Sequence, residues 1–241
     1  KNFFHQLKRA VNFEDFIHKK FVGQKRFSLE GGEALITGLY STIRKGAALG
    51  AEEFVVGMAH RGRLNVLTNV LEKPYRNVFK EFVAQDYDES VALGDVKYHL
   101  GFNKRVKLED GKEVNLALLP NPSHLEAATP VAIGLSRSRA EHAYNSDLKK
   151  VVPIIIHGDA AIASQGVVYE VAQMAKLDGY KTGGAIHIVV NNQVGFTTNY
   201  IEARSSTYST DIAKVTISPV FHVNGDDTEA VAYVFELAME Y

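Results

Sequence analysis

Two apolar runs without polar alternation, Val151 to Ile156 and Ile186 to Val190, restrict the fold more than any other feature of the chain. Runs of this kind suit strands buried on both faces, as in a parallel sheet covered by helices, whereas a half-exposed strand would alternate. Between them Val167, Val168, Val171, Met174, Ala175 and Leu177 recur at helical spacing, and Asp178-Gly179 makes a stop. The unit is strand, helix, strand, and such crossovers are nearly always right-handed. The fold class expected is therefore α/β, a mostly parallel, doubly wound sheet with helices on both faces. Each run ends in polar residues, His157-Gly158-Asp159-Ala160-Ala161 and Asn191-Asn192-Gln193-Val194-Gly195. Asp159 and Asn192 then fall at carboxyl ends of strands, where open α/β sheets bind ligands. One carboxylate with one amide oxygen suits a small hard cation; magnesium takes about six oxygens and is commonly held by one or two carboxylates plus phosphates.

The rest of the chain repeats the pattern. Phe3 to Lys20 reads as a partly basic helix, an arm or linker within residues 1–25, ahead of an α/β domain over 26–241. Leu35, Ile36, Leu39, Ile43 and Ala47 share a helix face, and Ser28 or the Gly31-Gly32 pair is expected to cap it. Phe54 to Met58 reads as a strand, followed by Ala59-His60-Arg61-Gly62-Arg63, a basic turn placed to meet anions at a helix start. Residues 72–96 read as a helix and then a mobile loop, and Glu109-Asp110-Gly111-Lys112 turns a surface hairpin. Leu116 to Leu119 is a strand ending at Pro120-Asn121-Pro122-Ser123-His124-Leu125-Glu126, with Ser123 able to cap a helix from Ala127 to Tyr144. Pro219 to Val223 is expected to form a last strand, and Asp226 or Asp227 to cap the terminal helix. The uncapped helical pattern at the end and the non-initiator Lys1 lead to the expectation of a piece cut from a longer chain.

Charge and composition exclude several classes. With 27 basic against 28 acidic residues there is no charge field for nucleic acid or a membrane surface. The absence of Cys rules out a disulfide scaffold and any Cys-ligated zinc, and fits a reducing compartment. No apolar stretch approaches the roughly 20 residues of a membrane span. A nicotinamide or flavin oxidoreductase would carry G-x-G-x-x-G after a strand, and Gly31-Gly32 is not preceded by one.

Gly-Asp-Ala followed by Asn-Asn resembles the diphosphate and magnesium signature of thiamin-diphosphate enzymes. The longer stretches HGDAAIASQGVVYE, VVNNQVGFTT, GMAHRGRLNVL, GDVKYHLG, NPSHLEA and KRFSLEGGEAL resemble the decarboxylase components of 2-oxoglutarate dehydrogenase, from about Phe13 to the end. The resemblance implies a diphosphate-binding domain whose partner aminopyrimidine-binding domain is absent here. It implies magnesium (Mg2+) on Asp159, Asn192 and the carbonyl of Val194, and thiamin diphosphate against Arg61, Ser123, His124, Leu125, Asp159, Ala160, Ala161 and Asn192. It also implies that His60 and His99 face the 2-oxo acid as catalytic groups, with Asn103 near the substrate's distal carboxylate, where some relatives carry a hydroxyl. The segment 196–214 would lie at the mouth of the site. The implied activity is decarboxylation of a 2-oxo acid substrate, 2-oxoglutarate, with succinyl transfer to the lipoyl-bearing succinyltransferase component. A homodimer of the full-length chain is implied, in the cytoplasm of a bacterium or the mitochondrial matrix of a eukaryote. Two other readings stay open at this point: a related enzyme acting on 2-oxoadipate or a branched keto acid, and a non-catalytic cofactor-binding or assembly module.

Overall fold

The computed structural model describes residues 2–83, 99–122 and 124–241. In chain order these form α1 (Asn2–Lys20), α2 (Ala34–Ala48), β1 (Glu53–Met58), α3 (Arg63–Asn69), α4 (Tyr75–Val83), β2 (Phe102–Lys107), β3 (Glu113–Leu118) and α5 (Ala128–Ala143). There follow β4 (Val151–Gly158), α6 (Asp159–Ser164), α7 (Gly166–Met174), β5 (Ile186–Val190), a two-residue pair β6 (Val194–Gly195) and β7 (Thr198–Asn199), α8 (Tyr200–Ala203) and α9 (Thr228–Glu240). The loop expected after α4, and Ser123, lie outside the described residues.

The main sheet runs β2-β3-β1-β4-β5. β1 pairs in parallel with β3 and β4, and β4 with β5, while β2 returns antiparallel to β3 as the expected hairpin. This is the mostly parallel α/β sheet that the unalternating runs called for. Both of its faces are covered. On one, Phe54, Val56, Met58, Leu116, Ile154 and Ile156 pack with Ile36, Leu39 and Ile43 of α2 and Phe13 and Ile17 of α1. On the other, Val55, Val151 and Ile155 meet Ala132 and Ala140 of α5. Each fully buried Ile, Leu or Phe contributes on the order of 1.5–3 kcal/mol, so the strand ends are carried on a rigid base. Helix α1 belongs to this base: its buried Glu14 accepts from Leu29 N at 3.2 Å and Asn65 Nδ2 at 3.0 Å, and Arg26 Nη1 lies 3.1 Å away.

Three local expectations are corrected. Ser28 does not cap α2: its Oγ accepts from Glu30 N at 3.0 Å, and Glu33 holds the cap position in helical conformation with no side-chain bond. Helix α5 likewise starts from Ala127 with no side-chain cap. Residues 219–223 form no strand and join no ladder among the described residues, and Val220 and Phe221 stay exposed rather than packing in a sheet. Asp227, by contrast, caps α9 by accepting from Ala230 N at 2.9 Å.

Candidate functional site

The carboxyl ends of β1, β3, β4 and β5 open on the same edge of the sheet, and the loops that leave them carry most of the residues singled out by sequence. Asp159 follows β4 directly and is the first residue of α6, only 2% exposed. Asn192 lies two residues past β5. The 191–195 loop can rest on α6 because Gly195 has no side chain: a Cβ there would come within 2.7 Å of the Ala160 Cβ. The result is convergence. One end of the Asn192 amide lies 3.1 Å from Asp159 Oδ1 and 3.1 Å from the Val194 main-chain oxygen.

That spacing is informative. Oxygens on adjacent corners of a magnesium octahedron, at roughly 2.1 Å from the ion, sit about 3 Å apart. With the amide nitrogen turned inward, Asn192 donates to both neighbours; with its oxygen inward, that oxygen lies 3.1 Å from each of two other oxygens, a spacing that a shared cation accommodates. The donor set is one anionic and two neutral hard oxygens, so Asp159, Asn192 and Val194 fit magnesium and leave corners for phosphate oxygens and water. Ala160 and Ala161 follow Asp159 in the first turn of α6, where backbone N–H groups are unpaired within the helix.

The turn after β1 is built around Gly62, which adopts φ +73° at the start of α3 and donates to Phe27 O at 2.9 Å. A Cβ at Gly62 would meet Leu29 at 2.7 Å, so only glycine fits both the conformation and the space. His60 is thereby held against the Phe27 ring at 4.1 Å between centroids. Burial pushes the His60 imidazole below its usual range, and electrostatic repulsion from the Arg61 and His99 side chains adds to this, which favours its neutral form. Arg61 donates to Ser28 O at 3.0 Å and its side chain remains exposed, within reach of the strand ends.

Arg63, left without a role in the sequence reading, is fully buried. It donates to Met58 O at 3.4 Å, to Leu100 O at 2.8 Å and to Leu119 O. One guanidinium therefore ties together the end of β1, the end of β3 and the strand-entry segment that carries His99. Its fork of donors makes this possible; an ammonium has no such geometry. The main chain adds a further tie, Asn121 N to His99 O at 2.9 Å.

His60, His124 and Leu125 line one cleft with Met58, Ala59, Asn121 and Glu126. Leu125 is half exposed, an apolar surface offered to whatever enters. Asn103 stands apart from this group: it is exposed on β2, opposite Ala117 near the end of β3, at the margin of the site. Ser123 lies outside the described residues, so its place beside the cleft is not described.

Sequence reasoning also passed over a buried relay. His157 Nδ1 donates to Glu126 Oε2 at 2.7 Å, its Nε2 lies 2.9 Å from His187 Nδ1, and Thr129 Oγ1 donates to the same Glu126 oxygen at 2.8 Å. The neighbouring signal was present, since His157 stands two residues before Asp159, but Glu126 is 31 positions away and no periodicity links them. The relay clamps the 120–126 loop, where Glu126 adopts φ +66°, to the strand end that bears Asp159. Replacing Glu126 with Ala is expected to cost about 1–3 kcal/mol by leaving buried His157 without its acceptor, and Glu126→Gln less than half of that. Urea unfolding at pH 7 measures both, and equal effects of the two would remove the hydrogen bond from the explanation.

His187 is pushed down to about 4, by the protein atoms packed around it and then by His157, although the residue as a whole is exposed and solvent screening reduces the effect. A histidine whose folded value lies below its unfolded value of about 6.5 leaves the unfolded chain binding more protons. Stability should therefore be unaffected above pH 6.5 and fall between pH 6.5 and about 4. His187→Asn is expected to flatten that decline in urea midpoints measured at pH 7.5, 5.5 and 4.5; an unchanged slope would assign it to other groups.

Arg204 is the last addition. It stands between α8 and the 3₁₀ turn Ser209–Val215, with its side chain 9% exposed and Nη1 3.4 Å from Asp159 Oδ2. The site thus contains one carboxylate with a neutral oxygen pair on one side and a guanidinium on the other.

Comparison with known proteins bears on the whole chain. The family model described as dehydrogenase E1 component matches residues 5–241. The 2-oxoglutarate dehydrogenase E1 component of Azotobacter vinelandii is 51% identical over 98% of this chain and 25% of its own length. The mitochondrial 2-oxoglutarate dehydrogenase of Saccharomyces cerevisiae is 48% identical over 98% of the chain and 24% of its own length. A 2-oxoglutarate dehydrogenase E1/E2 component of Corynebacterium glutamicum is 51% identical over 98% of the chain and 20% of its own length. The chain spans about a quarter of the length of the curated relatives it matches. With the family model covering nearly every residue and relatives at this identity from bacteria and mitochondria, the chain belongs to the dehydrogenase E1 component family.

Proposed function

We propose that this chain is the diphosphate- and cation-binding part of a thiamin-diphosphate-dependent decarboxylase that acts on 2-oxoglutarate and passes the succinyl group to a lipoyl-bearing acyltransferase. The observation that carries the reading is the Asn192 amide lying 3.1 Å from both Asp159 Oδ1 and the Val194 carbonyl oxygen. Mg2+ would be held by those three groups, and the cofactor's diphosphate would be received by the first turn of α6 at Ala160 and Ala161. Bound thiamin diphosphate supplies the nucleophilic carbon and the electron sink for decarboxylation.

The chain's own residues supply position and protons. Leu125 offers an apolar surface to the cofactor's rings, with His124 lining the same cleft, and Ser123 is proposed as a further cofactor contact. His60, whose neutral form burial favours, offers an N–H to the keto oxygen of the substrate or a lone pair for a proton. His99, whose main chain is tied to Asn121 and whose charge acts on His60, would meet the same substrate, and Arg61 adds positive charge for the anionic substrate or cofactor. Asn103, at the margin, is placed for the distal carboxylate. Names of the relatives support 2-oxoglutarate over 2-oxoadipate, and a homodimer is the assembly proposed for the full-length protein, in a bacterial cytoplasm or a mitochondrial matrix.

The test is a substrate ranking on the full-length protein with thiamin diphosphate and Mg2+, following carbon dioxide release from 2-oxoglutarate, 2-oxoadipate and a branched keto acid. The highest kcat/KM is expected for 2-oxoglutarate. A preference for 2-oxoadipate would move the protein to the related enzyme, and no release from any of the three would leave a non-catalytic module.

A further inference from the structure

Arg204 is more buried and less satisfied than its neighbourhood requires. The segment around it is exposed and polar, with Phe196, Ile201 and Tyr208 turned to solvent. Its guanidinium nevertheless lies inward, over the Tyr200 ring at 5.6 Å from the centroid. The single contact to Asp159 is long, 3.4 Å from Nη1 to Oδ2, where a charge-assisted pair closes to roughly 2.7–2.9 Å and an arginine fork commonly engages two oxygens. Nε is buried and has no hydrogen-bond partner. A desolvated donor on a cation, left unfilled, is costly, and such a group is retained where an anion completes it.

The arrangement also tells which anion. Asp159 meets the Asn192 amide, itself 3.1 Å from the Val194 carbonyl, through Oδ1 and Arg204 through Oδ2, so a cation held beside Oδ1 and the guanidinium would engage different oxygens of the same carboxylate. A diphosphate held by a divalent cation on one side would present its remaining charge to the guanidinium on the other. The charges support this. Asp159 and Arg204 cancel, and a divalent cation with a triply ionised diphosphate leaves one excess negative charge; without Arg204 the excess is two.

We infer that Arg204 is a further diphosphate-binding residue of the site, donating from its unfilled Nε to a phosphate oxygen of the cofactor. This rests on the thiamin-diphosphate reading above. It makes the segment carrying Arg204 part of the cofactor cradle, so that cofactor binding draws on residues beyond the two strand ends.

The experiment is calorimetric titration of the full-length protein with thiamin diphosphate and with thiamin monophosphate at fixed Mg2+, for the wild type, Arg204→Met and Arg204→Lys. The inference expects Arg204→Met to weaken diphosphate binding at least tenfold and to narrow the preference for diphosphate over monophosphate, with Arg204→Lys recovering part of both. Equal weakening of the two ligands would mark a purely structural role and overturn it, as would unchanged diphosphate affinity. A wild type that binds thiamin diphosphate without regard to Mg2+ would instead overturn the underlying reading, and Arg204's role with it.

Discussion

Asp159→Ala in the full-length protein is expected to lower decarboxylation at a working Mg2+ concentration by a factor of at least ~100. The carboxylate proposed to hold the cation is removed, and Arg204 is left buried without its Asp159 partner. Breaking a buried pair by removing one partner costs about 3–5 kcal/mol, and each 1.4 kcal/mol is tenfold in an equilibrium. Asp159→Asn keeps the shape and an oxygen but not the charge, so its activity should recover in part as Mg2+ is raised. Activity against Mg2+ concentration for the three proteins reads this directly. Wild-type behaviour of the alanine variant would take Asp159 out of the site.

The second large effect is on stability. Arg63→Leu is expected to destabilise the chain by about 3–5 kcal/mol, because the guanidinium of a fully buried residue serves the carbonyls of Met58, Leu100 and Leu119 and hydrogen bonds to a charged group contribute about 1.5–3 kcal/mol each. Leucine fills much of the volume but answers none of the three acceptors. Arg63→Lys should restore little, since a point charge cannot span three acceptors on different loops. Urea unfolding gives the number, and a loss under 1 kcal/mol would mean that the three strand ends hold their places without this tie.

The sheet was legible because its determinants are local. β1 and β4, buried nearly throughout, announce themselves as apolar runs, as do the apolar end of β3 and the partly buried edge strand β5, and the residues just past β4 and β5 follow from where the runs stop. The same logic placed Asp159 and Asn192 on one edge. What the sequence did not show is pairing across distance. Glu126 with His157, Arg63 with three carbonyls, and Arg204 with Asp159 are joined by the topology of the sheet, and each residue alone reads as an ordinary charged position in a loop or helix. Helix caps, though not helix starts, were misassigned for a related reason. Ser28 and Ser123 have cap chemistry, but α2 and α5 begin at Ala34 and Ala128, five or more residues later, where backbone geometry set by packing decided the boundary. The 219–223 segment has strand composition without a neighbour to pair with, and composition cannot supply one.

A cation and a diphosphate are expected to share the ends of β4 and β5. The most direct test is calorimetric titration of thiamin diphosphate into the full-length wild-type protein, once with Mg2+ and once with the cation removed by a chelator. The result should be saturable binding with Mg2+ and a loss of at least ~100-fold in affinity without it, as expected when two or more phosphate–metal bonds disappear. Binding of equal strength in both conditions, or none in either, would contradict that arrangement.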